Sequence, residues 1–90
     1  MVRTVDDRLY SGVTTDVRRR YQEHLSGGAR AAKYLKAHRP HSLVFAMPVG
    51  SRSLAQKVEY YLKRLSRGRK EMVITQQMLV FDPNSGMILP

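Results

Sequence analysis

The sequence has no cysteine, no apolar run long enough to cross a membrane, and few acidic side chains. The lack of cysteine excludes disulfides and metal sites built from thiolates. The apolar stretches fall well short of the roughly 18 residues that a membrane-spanning helix needs, and the N-terminal residues lack the pattern of a signal peptide. These absences predict a soluble protein of the cytoplasm.

The shortage of acidic residues leaves the chain strongly basic. Seven aspartates and glutamates face 16 lysines and arginines, which gives a net charge of +9. A field of this sign attracts polyanions, nucleic acid first and an anionic membrane surface second. Charge alone does not separate a nuclease from a ribosome-bound protein or a DNA-coating protein.

Length and patterning predict the fold class. With 90 residues, 42% of them hydrophobic, the chain suits a modest core. The patterns predict an α/β (α+β) fold, in which a small three-stranded antiparallel sheet is flanked by helices. The strands are expected at residues 1–5, 8–13 and 42–47, the last as a central strand buried on both faces. Helices are expected at residues 16–25, 29–36 and 67–76, and after a capping box formed by Ser53 and Gln56. Asp6 and Asp7 are expected in a turn.

One stretch combines a strand with the basic helix that follows it. In the helix at residues 16–25, the four-residue spacing of three apolar side chains predicts a buried stripe of Val17, Tyr21 and Leu25. Arg20 and His24 border this stripe, and Tyr10 lies on the preceding strand. The three polar side chains can therefore converge on one spot. Taken singly, each also has an ordinary structural explanation, as a strand residue, a solvated charge and a border residue.

Further candidates lie later in the chain. Glu59 borders the apolar face of its helix, and Lys63 follows at the spacing that favours a salt bridge. On spacing alone, the salt bridge is favoured over a metal-binding role. His38 and His41 are interpreted as loop residues, since no acidic cluster completes a zinc site. Basic residues that suit phosphate contact, or simply a solvated face, are Arg30, Lys33, Lys36, Arg67 and Lys70.

The order of these residues resembles a known signature. In GIY-YIG endonucleases a Tyr-x-Gly is followed by an arginine ten residues after the tyrosine and by a histidine four residues later. Tyr10, Gly12, Arg20 and His24 match this pattern. Residues 55–63 resemble the family's helix with its metal-binding glutamate, which matches Glu59. Residues 27–34 and 65–71 resemble the small stand-alone bacterial branch called YhbQ-like.

The resemblance, which covers about residues 2–75, implies a metal-dependent endonuclease in DNA repair or processing, with DNA favoured over RNA as the substrate. It implies that Glu59 holds a divalent cation, Mg²⁺ before Mn²⁺. Tyr10 would act as general base or relay, Arg20 would stabilise phosphate charge, and His24 would orient the proton transfer.

The sequence also leads to an alternative function and to expectations about domain bounds. The alternative function is a non-catalytic nucleic-acid-binding module of the same fold. We expect the family domain at residues 1–76 and a C-terminal tail at 77–90. The family's first tyrosine would fall just upstream of Met1, so the sequence is expected to begin inside that strand.

Overall fold

The computed structural model describes all of residues 1–90 and groups them into two compact units, Met1–Ala46 and Met47–Pro90. The first unit contains β1 (Val2–Thr4), β2 (Leu9–Tyr10), α1 (Val17–Ser26), α2 (Lys33–Ala37) and β3 (Pro40–Leu43). The second contains α3 (Arg52–Arg64) and α4 (Arg67–Gln76). The three-stranded antiparallel sheet of the first unit and the helices of both units confirm the predicted α+β class. No helix is both long enough and apolar enough to span a bilayer.

The sheet has β1 in its centre, in the order β2-β1-β3. Val2 pairs with Tyr10 on one side and with Leu43 on the other. The prediction that residues 42–47 form the central strand is wrong. β3 is an edge strand with alternating burial, and the chain leaves it after Leu43. An unbroken apolar run indicates burial without indicating the position of a strand in a sheet, and Pro40 suits an edge.

The turn between β1 and β2 is held by side chains, as its two aspartates predicted. The Thr4 hydroxyl donates to Oδ1 of Asp6 at 2.6 Å and accepts the backbone N–H of Arg8 at 2.8 Å. Asp7 takes a left-handed conformation with φ of 62°, which aspartate tolerates better than most residues. Thr4 is almost fully buried, so its hydroxyl must find such partners.

The buried side of α1 differs from the predicted stripe. Val17 is 39% exposed and Leu25 is 37% exposed, whereas His24 is only 5% exposed. The spacing of apolar residues predicts which side chains share a side of the helix, but it does not determine the angle at which that side meets the core. His24 can take the buried place because its ring nitrogen accepts a hydrogen bond from Ala32. The ends of α1 lie within one residue of the predicted range 16–25, with Asp16 as N-cap and Gly27 left-handed at the C-cap.

The predicted starts of α2 and α3 are wrong. Residues 29–36 do not form one helix, because a turn in which Ala31 N–H donates to the carbonyl of Gly28 precedes the five-residue α2. The cap of α3 is Ser51 rather than Ser53, and its hydroxyl accepts the N–H of Leu54. Ser51 and Ser53 offer the same hydroxyl for capping, so Gln56 at the capping-box spacing from Ser53 did not decide which serine begins the helix. By contrast, α4 has the predicted bounds, 67–76, and the Ser66 hydroxyl caps its start by accepting the N–H of Arg69.

Residues 77–90 form a hairpin-like element within the second unit. Phe81 and Ile88 make an isolated antiparallel bridge, and the N–H of Leu89 donates to the carbonyl of Val80 at 2.8 Å. Gly86 lies against α3 so closely that a Cβ there would stand 2.7 Å from Cβ of Lys57. This segment therefore packs on α3. The division into a domain of residues 1–76 and a tail stays a prediction.

Candidate active site

Tyr10 and His24 are in direct ring contact in the first unit. Tyr10 ends β2, where its backbone pairs with Val2, and His24 lies in the last turn of α1. Their ring centroids are 5.8 Å apart with an interplanar angle of 77°, an edge-to-face arrangement. Two residues separated by a turn and most of a helix are thus brought together by the packing of α1 against the sheet.

The hydrogen bond to His24 determines which ring nitrogen carries the proton. Nδ1 accepts the backbone N–H of Ala32 at 3.1 Å, so in the neutral ring the proton resides on Nε2. Burial lowers the pKa of His24 below its ordinary 6.5, and the nearby positive charge of Arg20 lowers it further, against a smaller opposing effect of Glu23. His24 is therefore a neutral donor at pH 7.

Arg20 lies one turn before His24 on α1 and is held by two partners. Its Nη1 donates to Oε1 of Glu23 at 3.2 Å and to the backbone carbonyl of Arg30. The bond from Arg20 is the main reason that the pKa of Glu23 lies below its usual value. Glu23 also pairs with the Arg30 guanidinium at 3.6 Å. Arg20 thus has a defined position beside His24, with part of its surface open to solvent.

Tyr34, which was not among the predicted catalytic residues, lies beside Tyr10. Tyr34 of α2 stacks on Tyr10 with centroids 5.8 Å apart and an angle of 19°. Its ring also meets that of His38, the C-cap residue of α2, with the ring centroids 4.5 Å apart. The four-residue spacing of Tyr34 and His38 could have indicated their mutual contact, since such pairs meet on a helix, but it does not indicate the contact with Tyr10.

His38 is anchored in turn to the hairpin between β1 and β2. Its Nδ1 donates to Oδ2 of Asp6 at 2.7 Å, and Arg8 Nε donates to the same oxygen at 3.0 Å. Hydrogen bonds from Thr4, then from His38, hold the pKa of Asp6 well below its usual range. The Asp6 carboxylate, followed by the Tyr34 phenol, raises the pKa of Arg8. A polar network thus runs from the turn to the stacked tyrosines.

Glu59 belongs to the second unit and lies in the middle of α3. Its Oε1 is 2.7 Å from Nζ of Lys63, so the predicted salt bridge is present. The Glu59 side chain is 23% exposed, and its neighbour Val58 is buried. No group of three or more histidine, cysteine or acidic side chains is gathered anywhere in the 90 residues. Any metal site based on Glu59 would therefore rest on one protein carboxylate, with water completing the shell.

The predicted phosphate-binding residues differ in how far they are engaged. Arg30 pairs with Glu23, and Lys33 and Lys36 are exposed on α2. In the second unit, Arg67 pairs with Glu71 at 2.9 Å, and Lys70 is half-buried on α4. The three-residue row from Arg30 to Lys36 is therefore only partly helical, because α2 begins at Lys33.

Comparison with known proteins decides the family. The family model described as "GIY-YIG catalytic domain" matches residues 1–72. The chain belongs to the GIY-YIG family. It is 47% identical to "UPF0213 protein YhbQ" of Escherichia coli strain K12 over 76 residues. The aligned region covers 84% of this chain and 74% of that protein. It is 46% identical over 90 residues to the protein of the same name from Escherichia coli O1:K1 / APEC, covering 100% of this chain and 88% of the relative.

No solved structure matches the chain. The relatives agree with the YhbQ-like branch of the GIY-YIG family that residues 27–34 and 65–71 indicated. Membership of the GIY-YIG family indicates a nuclease whose substrate is nucleic acid, and nucleases of this family generally depend on a divalent metal.

Proposed function

We propose that this protein is a metal-dependent endonuclease that hydrolyses phosphodiester bonds of DNA, rather than RNA, in repair or processing of DNA in the cytoplasm. The observation that supports this most is the contact between Tyr10 and His24, with Arg20 near enough to lower the pKa of His24. A phenol, an imidazole and a guanidinium in one place suit proton transfer and charge stabilisation at a phosphate.

Tyr10, His24 and Arg20 would each have a different role in hydrolysis. The Tyr10 hydroxyl would take the proton from the attacking water, directly or through a relay. Neutral His24 holds its proton on Nε2, so it would donate a hydrogen bond and orient the reacting groups rather than act as the base. Arg20, whose planar fork matches phosphate oxygens, would stabilise the negative charge that develops on the phosphate. No covalent intermediate is required.

Glu59 is the residue that would hold the divalent cation, Mg²⁺ before Mn²⁺. Its carboxylate already balances one positive charge, that of Lys63, and Mg²⁺ keeps several waters and needs few protein ligands, so the donor set fits. When bound, a divalent cation would supply charge neutralisation for phosphate oxygens.

Nucleic-acid binding rests on charge in this proposal. The net charge of +9 supplies long-range attraction. The contacts would come from Arg30, Lys33, Lys36, Arg67 and Lys70. Of these, Lys33 and Lys36 are exposed, whereas Arg67 would have to leave Glu71. Lys33 and Lys36 are therefore the strongest candidates for direct phosphate contact.

A second candidate is a nucleic-acid-binding module of the same fold without hydrolysis. It is favoured by the internal pairing of the two charged groups that catalysis needs: Arg20 is held by Glu23, and Glu59 by Lys63. The two functions differ in a single measurable property, cleavage that depends on metal.

Nicking of supercoiled DNA, with and without Mg²⁺, tests the proposal. Glu59→Gln should abolish nicking while leaving DNA binding within about twofold. Glu71→Gln is the matched control, because it also removes the acid of a Glu-to-basic pair four residues apart on a helix and should keep its activity. Binding without any Mg²⁺-dependent nicking by the unaltered chain would favour the non-catalytic module instead.

A further inference from the structure

The first unit contains a cleft next to the candidate catalytic residues, with His24 in its lining. It has a volume of about 320 Å³ and lies between the C-terminal end of α1 and the segment from α2 to β3. Its lining includes His24, Gly27, Leu35, Lys36, Arg39 and Pro40. Ligand pockets in proteins have volumes of about 300–1,000 Å³, and one near the lower end of this range suits one small molecule or one monomer unit of a polymer.

Two cationic side chains line this cleft without any partner in the protein. Lys36 and Arg39 make no side-chain hydrogen bond and no ion pair, whereas Arg20 and Arg30 are both paired with Glu23. The backbone of Arg39 is fixed, because its carbonyl accepts the N–H of Val5 at 2.8 Å. A guanidinium on a fixed backbone and a nearby ammonium make a site for an anion.

The negative end of α1 does not cancel these charges. The C-terminus of a helix is equivalent to roughly half a negative charge, against two full positive charges here. The carbonyls of Glu23 and His24 are also already bonded, to the Ser26 hydroxyl and the Gly27 N–H. His24 is neutral and Leu35 is buried, so these two lining residues carry no charge. The cleft thus combines uncharged surface with two cations.

We infer that this cleft binds one nucleotide of the nucleic-acid substrate, with its phosphate at Lys36 and Arg39 and its sugar and base against the uncharged lining. The inference rests on the proposed function for its placement. Because His24 lines the cleft and also touches Tyr10, the bound nucleotide would adjoin the phosphodiester bond that is cut. Arg39 then becomes a substrate-positioning residue that neither the motif nor the basic row indicated.

A titration tests this inference. Thymidine 5′-monophosphate is added to the metal-free full chain, and NMR of the backbone amides detects its binding. Thymidine and inorganic phosphate serve as separate probes of the base and sugar and of the anion. The monophosphate should shift Gly27 and Lys36 saturably, and Arg39→Met should weaken its binding about three- to tenfold. The control is Arg18→Met, which removes an exposed, unpaired arginine of α1 outside the cleft and should change the affinity less than twofold.

Several results would overturn the inference. They are shifts confined to other parts of the chain, equal weakening by Arg18→Met and Arg39→Met, and inorganic phosphate binding as tightly as the monophosphate. Thermal melts of both variants establish that they are folded. The experiment contains neither metal nor a cleavable bond, so its failure is distinguishable from failure of the nicking assay with Glu59→Gln.

Discussion

The backbone N–H of Ala32 donates a hydrogen bond to Nδ1 of His24 across 3.1 Å, which joins the end of α1 to the start of α2. Protonation of Nδ1 would replace this attraction with a clash of two donors. The bond therefore acts in the same direction as burial and Arg20, which both lower the pKa of His24. The histidine is at once a core residue and a candidate catalytic group.

The protein should lose stability as the pH falls below the ordinary histidine pKa of 6.5. In the unfolded chain His24 takes up a proton near that pH, whereas in the folded chain it resists protonation until a lower pH. The unfolded state thus binds more protons in the window below 6.5, and the free energy of unfolding declines there with falling pH. The measurement is urea unfolding at several pH values between 7.5 and 5.

His24→Asn provides the comparison for that prediction, because its side-chain oxygen can still accept the Ala32 N–H but does not titrate. All other titrating groups are common to both chains, so the difference in slope isolates His24. Parallel curves for the two proteins would contradict the prediction.

Tyr10→Phe should lower nicking by about 10²–10⁴-fold, the usual contribution of a general base, while changing the melting temperature little. The phenyl ring keeps the contacts with His24 and Tyr34, and only the hydroxyl is lost. Tyr60→Phe, which removes the hydroxyl that accepts a bond from Arg64 on α3, is the control and should nick normally. Nicking by Tyr10→Phe at the unaltered rate would remove Tyr10 from the mechanism.

Lys63→Met should tighten Mn²⁺ binding about twofold, because a pair of this spacing on a helix is worth roughly 0.3–0.5 kcal/mol and competes for Glu59. Electron paramagnetic resonance of free Mn²⁺ measures the affinity directly. Arg67→Met removes the basic partner of a Glu-to-basic pair with the same spacing, that of Glu71, and should leave Mn²⁺ affinity unchanged. Equal effects of both variants would mean that the metal is attracted by overall charge rather than held by Glu59.

DNA binding should weaken steeply with salt, with a log–log slope of several units at about 0.9 per phosphate contact. Lys36→Met should lower the slope by about one contact, since its ammonium is exposed and unpaired. Fluorescence anisotropy between 50 and about 200 mM salt gives the slope. Binding that is insensitive to salt would be incompatible with both proposed functions.

Gly86→Ala should destabilise the protein by about 1–3 kcal/mol. Gly86 has φ of 75°, and a Cβ would meet Cβ of Lys57 at 2.7 Å and the backbone nitrogen of Val58 at 2.9 Å. Gly68→Ala is the matched control, because nothing lies within 4 Å of its Cβ in α4 and alanine favours a helix. Chemical denaturation should show opposite signs for the two variants, and an undiminished stability of Gly86→Ala would mean that Gly86 does not pack on α3 in solution.

Local chemistry in the sequence predicted some elements closely. Ser66 as a cap and the left-handed Gly27 depend only on neighbouring residues, so α4 and the end of α1 could be predicted. The central position of β1 and the burial of His24 depend on partners far along the chain. The sequence therefore did not indicate them.

In the candidate site, too, some features could be predicted from the sequence and others could not. The spacing of Tyr10, Arg20 and His24 indicated a site, and the ring contact of Tyr10 with His24 agrees with it. Tyr34 was missed because its stacking on Tyr10 requires knowledge of how α2 meets the sheet. For Glu59 the salt bridge with Lys63 was predicted, and its role toward metal stays a prediction.

The central place of β1 has a consequence for how the protein folds as it is made. Val2 and Arg3 are synthesised well before their partners Leu43 and Ser42, which lie at the other end of the first unit. Until those partners emerge, β1 can pair only with the two residues of β2, a hairpin too small to be stable by itself. The first unit must therefore complete its sheet late and in one cooperative step, with slow folding of the kind that long-range strand pairing imposes.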